Sequence, residues 1–142
     1  MDNYRRIEGI LYSYTTLKAE IKNIELEIET IINDYRGAGA ISYEEKTGPT
    51  YKVTSAVENE IVTKEKKIER LKKIKRLKEI DVQKIENALE TLTQREKDII
   101  RCRYFEKKSW NKVGEKLDLT GDYCMGLSKG ILKEIEKIII VR

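Results

Sequence analysis

The chain has 142 residues, of which 39% are apolar and 38% charged, with one proline and no histidine. Globular chains average about 25% charged residues, so this charge needs a long solvated surface, and the 64 Ala, Glu, Lys, Leu and Arg residues point to long helices. Without histidine, imidazole acid–base chemistry, Ser–His and Cys–His nucleophiles and His-bound zinc are all excluded, and no enzyme activity, cofactor or metal site is expected.

The first residues, MDNYRRIEGI, hold no apolar signal stretch, and no apolar run reaches 18 residues anywhere. No membrane partner and a cytoplasmic location are expected. An apolar stripe then follows at alternating spacings of three and four: Ile7, Ile10, Tyr14, Leu17, Ile21, Ile24, Ile28, Ile31 and Tyr35. This is a heptad seam on a helix roughly 43 Å long, and such a stripe needs a partner. The period fails between 36 and 54, where Gly37, Gly39, Gly48 and Pro49 predict a loop. Ser55 and Glu58 read as a capping box opening a second helix, with Val57, Ile61, Ile68, Leu71, Ile74, Leu77, Val82, Ile85 and Leu89 on its apolar face. Lys75 and Lys78 fall on its seam, so the heptad is expected to break midway, with Ile74, Leu77 and Ile80 broadening the stripe. Two such helices form either an antiparallel hairpin or a parallel homo-oligomer through the first of them.

Charge divides the chain unevenly. Residues 1–63 carry 7 Lys/Arg and 11 Asp/Glu, while residues 64–142 carry 22 and 14. A basic half suits a polyanion. Within it, Lys64, Lys66, Lys67, Arg70, Lys72, Lys73, Lys75 and Arg76 interleave with Glu65 and Glu69. That run is either a solvated face laced with i,i+4 ion pairs or a phosphate-contacting stripe.

Beyond Leu92 the elements shorten. Thr93 and Glu96 form a capping box before a helix burying Ile99, Ile100 and Cys102 to Tyr104, which Glu106-Lys107-Lys108 interrupts. Ser109 caps a second helix carrying Trp110, Val113 and Leu117, and Asp118-Leu119 makes a bend. Thr120 caps a third, with Cys124, Leu127, Ile131, Ile135 and Ile138 on one face. Cys102 and Cys124 read as core fillers, and the terminal run Ile138 to Val141 is too apolar for a free end.

Residues 92–137 resemble region 4 of sigma-70-type bacterial sigma factors. The likeness is carried by Leu92, Arg95, Glu96, Ile99, Ile100, Arg103, Tyr104, Ser109, Val113, Gly114, Leu117, Leu119 and Thr120. The wider layout, with Ser109-Trp110 opening the middle helix, is similar to phage late-gene regulators of the ArpU and RinA type. The resemblance implies a helix-turn-helix whose last helix enters the major groove of double-stranded DNA. Arg103 would meet a backbone phosphate, and Ser109 and Trp110 would lie near the strand, with Lys107 and Lys108 counted in the same surface. Thr120, Gly121, Asp122, Tyr123, Met125, Gly126 and Lys129, with Gly130, would face bases and phosphates. This face departs from the family's usual Arg, Glu and Gln, and Gly126 and Gly130 call for a close approach by DNA or by another helix.

The expected fold is all-α: an elongated helical segment over 1–90, as a hairpin or coiled coil with its loop near 36–54, then a three-helix helix-turn-helix module over 91–142. The expected function is promoter binding that regulates phage or prophage genes with bacterial RNA polymerase. The competing readings are a structural or adaptor coiled coil and a terminase small-subunit type of DNA recognition protein.

Overall fold

The protein is described from a computed structural model covering residues 2–44 and 51–141. Among the described residues every regular element is helical: α1 (Asp2–Tyr12), α2 (Tyr14–Glu44), α3 (Tyr51–Glu90), α4 (Gln94–Ile100), α5 (Trp110–Leu117) and α6 (Gly121–Ile139). A π-helical turn, Arg101–Phe105, continues α4. No helix among the described residues is long and apolar enough to cross a membrane. Ser13 separates α1 from α2, its hydroxyl donating to the Ile10 carbonyl at 2.6 Å in competition with the helical ladder.

The gap between α2 and α3 is narrower than the expected loop over 36–54. The α2 helix runs through Gly37 and Gly39 to Glu44, and α3 already begins at Tyr51. Glycine in a helix costs only about 1 kcal/mol against alanine, whereas proline costs about 3. Two glycines therefore do not end α2, while Pro49 falls within 45–50, outside the described residues. Ser55 sits inside α3 and does not cap it; its side chain and that of Tyr35 lie outside the described residues.

Contacts divide the chain into two units, Glu20–Lys78 and Met1–Ala19 with Glu79–Arg142. In the first, α2 and α3 run antiparallel: Glu25 pairs with Lys75 at 3.2 Å and Glu27 with Lys67 at 4.0 Å, while Glu20 pairs with Lys78. Advancing along α2 means retreating along α3, which is the hairpin. The seam of α3 holds register throughout, with Ile61, Lys64, Ile68, Leu71, Lys75 and Lys78 all partly covered. The expected midway break does not occur. Lys75 and Lys78 lay their aliphatic stems in the seam and carry their ammonium groups out to glutamates on α2. Ile74 and Leu77, expected in the stripe, are instead 38% and 65% exposed.

Partly exposed ion pairs of this kind contribute about 0–1 kcal/mol, less than an apolar side chain in the same groove. A K75L/K78L double variant is therefore expected to melt higher by a few degrees when followed by circular dichroism. A lower midpoint would show that the lysines specify the pairing.

The second unit joins both ends of the chain. Its core takes Ile7 and Leu11 from α1, Ile85 and Ala88 from α3, Leu92, Ile99 and Ile100 from α4 and the turn before it, Tyr104 from the π turn, and Ile131, Leu132, Ile135 and Ile139 from α6. The division thus falls elsewhere than the expected boundary at 90, because α1 packs on α6 and the π turn. Asn3 Nδ2 donates to Glu136 Oε1 at 2.9 Å, and the Tyr12 ring meets the Tyr104 ring edge-on at 4.9 Å. Leu11, outside the heptad stripe, is fully buried because this core covers it. Cys102, Val113 and Cys124 form a smaller cluster in which both thiols are buried and free, the core role expected of them. At the C-terminal end it is Ile139, not Ile138, that enters the core, since Ser128 and Leu132 rotate the buried face of α6. Ile138 is 38% and Val141 82% exposed, so the terminal run is only partly packed.

Candidate functional site

The three C-terminal helices start where side-chain caps dictate. The Thr93 N–H donates to Glu96 Oε1 at 2.9 Å and the Glu96 N–H to Thr93 Oγ1 at 3.3 Å, closing a reciprocal box. Ser109 Oγ accepts from the Lys112 N–H at 3.3 Å and Thr120 Oγ1 from the Tyr123 N–H at 3.2 Å, opening α5 and α6. Asp118 ends α5 in the left-handed region at φ 58°, and the Leu119 N–H returns to the Gly114 carbonyl at 2.9 Å. Gly114 is what lets this connection close. A Cβ there would stand 2.5 Å from the Leu119 carbonyl oxygen and 2.9 Å from the Gly121 nitrogen.

Cys124, Ser128 and Ile131 turn the inner face of α6 into the unit. Its outer face over the first turns presents Asp122, Tyr123, Met125, Gly126, Lys129 and Gly130 to solvent, with Tyr123 49% and Met125 37% exposed. Outside α6 itself, nothing among the described residues lies within 4 Å of a Cβ built at Gly126 or Gly130, so no other described helix makes the close approach expected there. Gly121 does not belong to this face. A side chain on it would meet Asn111 Oδ1 at 2.9 Å and the Trp110 backbone at 3.0 Å, so the residue is a contact point between α5 and α6.

Arg103 is also engaged within the fold. Its guanidinium stacks over the Trp110 ring at 4.7 Å, and one terminal nitrogen donates to the Lys108 carbonyl at 3.1 Å. Its Nε is buried without a hydrogen-bond partner. This arginine braces the turn between α4 and α5, where a phosphate contact was expected. Trp110 is half-buried beneath it and packs on both apolar clusters. Lys107 is exposed and holds φ 57°, which the tight turn imposes. Lys108 Nζ lies 2.9 Å from Glu106 Oε1 and Lys116 Nζ 3.4 Å from Glu106 Oε2. The hydrogen bond from Lys108, with that from Lys116, holds the Glu106 carboxyl below its usual range, and the same bond raises Lys108. Ser109 and Thr120 are exposed at their helix starts.

Residues 3–137 match a family described as a protein of unknown function, DUF722. The chain belongs to that family. No curated protein and no solved structure matches it. The family match spans both units, so the hairpin and the C-terminal helices fall within one family-wide sequence pattern.

The structure adds residues that the sequence did not assign to this surface. Arg95 lies 5.3 Å from the centre of the Tyr123 ring and covers one side of it, a pairing between α4 and α6 that only the tertiary fold creates. Lys112 and Lys116 line a shallow open depression with Lys108 and Glu115. The spacing of four from Lys108 to Lys112 to Lys116 is a signal the sequence does carry.

Proposed function

We propose that the protein is a sequence-specific DNA-binding regulator of transcription, in which α5, the Asp118–Thr120 turn and α6 act as a helix-turn-helix. The observation that carries this reading is the outer face of α6. It is a capped helix start with its inner side locked by Cys124 and Ser128, exposing Asp122, Tyr123, Met125 and Lys129 around an open notch at Gly126 and Gly130. A major groove about 12 Å wide admits one helix, and a face without Cβ atoms at two successive turns lets a sugar-phosphate backbone approach its axis. Asp122 can accept from a cytosine amino group, and Tyr123, stiffened by Arg95, can touch a thymine methyl. Lys107 and Lys112, exposed on the turn before α5 and on α5 itself, add positive charge suited to phosphates, while Lys108 and Lys116 share Glu106. Regulation of phage or prophage genes in concert with bacterial RNA polymerase rests on the likeness of residues 92–137 to sigma region 4.

Selection of bound duplexes from a random pool tests the reading. The parent chain is expected to enrich one motif. Tyr123→Ala should relax preference at one or two positions of that motif by about 1–3 kcal/mol, the usual discrimination of a good base contact. A pool that emerges unenriched would overturn the proposal.

A further inference from the structure

The basic run on α3 is sorted by the structure into two groups. Between residues 64 and 78 the sequence places nine Lys or Arg and two Glu. Lys64, Lys67, Lys75 and Lys78 are taken up by Glu60, Glu27, Glu25 and Glu20. Lys66, Arg70, Lys72, Lys73 and Arg76 make no ion pair among the described residues, and neither do the nearby Glu65 and Glu69. Over this stretch the face is solvated but thinly paired, with Lys64–Glu60 as its i,i+4 ion pair among the described residues. Lys66 and Arg70, and Lys72 and Arg76, stand four apart as like-charged neighbours, and only Glu69, four before Lys73, offers the opposite sign within the row.

We infer that this face of α3 is a second nucleic-acid surface, one that binds the phosphodiester backbone of duplex DNA without regard to sequence. Lys66, Arg70, Lys73 and Arg76 recur at spacings of four, three and three along about 15 Å of helix, with Lys72 beside them. Long flexible cations in a row suit a strand whose charges recur along the duplex and exert no geometric demand on individual bases. The acids of α2 offer little internal alternative, since Glu20, Glu25 and Glu27 are already paired, and Glu29 and Asp34 are the other α2 acids with described side chains between 20 and 34. A second copy docking through α2 would bring the same shortage. The surface lies wholly within the Glu20–Lys78 unit and does not depend on α6 reading bases.

The test measures affinity of the full chain for a random-sequence duplex by fluorescence anisotropy over a series of salt concentrations, for the parent and for K66Q/R70Q/K73Q/R76Q. Glutamine keeps helix propensity, and circular dichroism checks the fold. Removing one phosphate-bound cation lowers the slope of log K against log salt by about 0.9, so the variant's slope should fall by about two or more. Should the quadruple variant lose helix, K66Q/R70Q and K73Q/R76Q are each expected to show about half the effect. An unchanged slope in folded variants overturns the inference, as does unchanged duplex binding with lost binding to polyglutamate, which would assign the stripe to an acidic protein. A reduced slope with no enriched motif in the parent would leave this surface standing and remove the role given to α6. An enriched motif with an unchanged slope would do the reverse.

Discussion

Truncation of Tyr104 to alanine is expected to destabilise the protein by about 3–5 kcal/mol, and Tyr104→Phe by about 1–2 kcal/mol, in urea unfolding followed by circular dichroism. Tyr104 is the largest of the fully buried side chains, and it stands where four elements meet. Its ring lies edge-on to Tyr12 and, at 6.5 Å, to Trp110. Its hydroxyl donates to Glu8 Oε2 at 2.9 Å and lies 3.3 Å from Ser128 Oγ. Alanine opens a cavity among Ile7, Leu11 and Ile131 and strips the fully buried Ser128 of its partner. Phenylalanine keeps the packing but likewise leaves Ser128 and Glu8 without the hydroxyl.

The same hydroxyl sets an alkaline limit. Burial pushes the Tyr104 phenol well above its ordinary value of 10.0; the hydrogen bond and charge of Glu8 add to this, and the bond with Ser128 opposes it. A group with a raised folded pKa contributes fully below its unfolded pKa and loses that contribution as pH rises above it. Stability should therefore fall above pH 10 by about 1.4 kcal/mol per pH unit for this group. Tyr14, raised by burial and by its bond to Glu86, adds a slope of its own. The difference between parent and Tyr104→Phe isolates the Tyr104 part. Equal alkaline slopes in the two proteins would remove the hydroxyl from the buried network.

Much of this architecture is legible before any coordinates. Thr93, Ser109 and Thr120 announce their helices because a cap is a contact between near neighbours in the chain. The two long amphipathic helices follow from a period, though it leaves hairpin and parallel oligomer both open until the α2–α3 ion pairs decide, and Cys102 and Cys124 follow from where the period puts them. Other features need the tertiary fold. Lys75 and Lys78 look like breaks in a seam until glutamates on the opposing helix are seen to receive them. Cys102 and Tyr104, two residues apart and so on opposite sides of the turn, serve different apolar clusters, and no residue pattern marks the π turn that carries them. Arg103 resembles a free phosphate ligand in the sequence, yet the π turn and Trp110 give it an internal partner. The site divides likewise. The exposed face of α6 is readable from helical spacing, whereas Gly121 belongs to the α5 contact and Arg95 joins Tyr123 from another helix.

The glycines offer the sharpest test of how α5 and α6 are held, because the same substitution should act in opposite directions on the two helices. Gly126→Ala and Gly130→Ala add a methyl to open solvent and remove helical disadvantage, so each is expected to stabilise by up to about 1 kcal/mol. Gly114→Ala gains the same propensity in α5, yet its Cβ would stand 2.5 Å from the Leu119 carbonyl oxygen and 2.9 Å from both the Thr120 carbonyl carbon and the Gly121 nitrogen. All three are backbone atoms and cannot swing aside as a side chain would. The turn must shift, and overpacking of this kind costs about 1–3 kcal/mol after relaxation. Since the turn carries Thr120, the cap of α6, displacement there re-aims the helix proposed to enter the groove. Gly114→Ala is thus expected to lower the urea midpoint and to erase motif enrichment, while Gly126→Ala raises the midpoint and weakens duplex affinity by crowding the notch. If Gly114→Ala proved neutral or stabilising, the packing that aims α6 would be looser than described, and the helix-turn-helix reading would lose its structural basis.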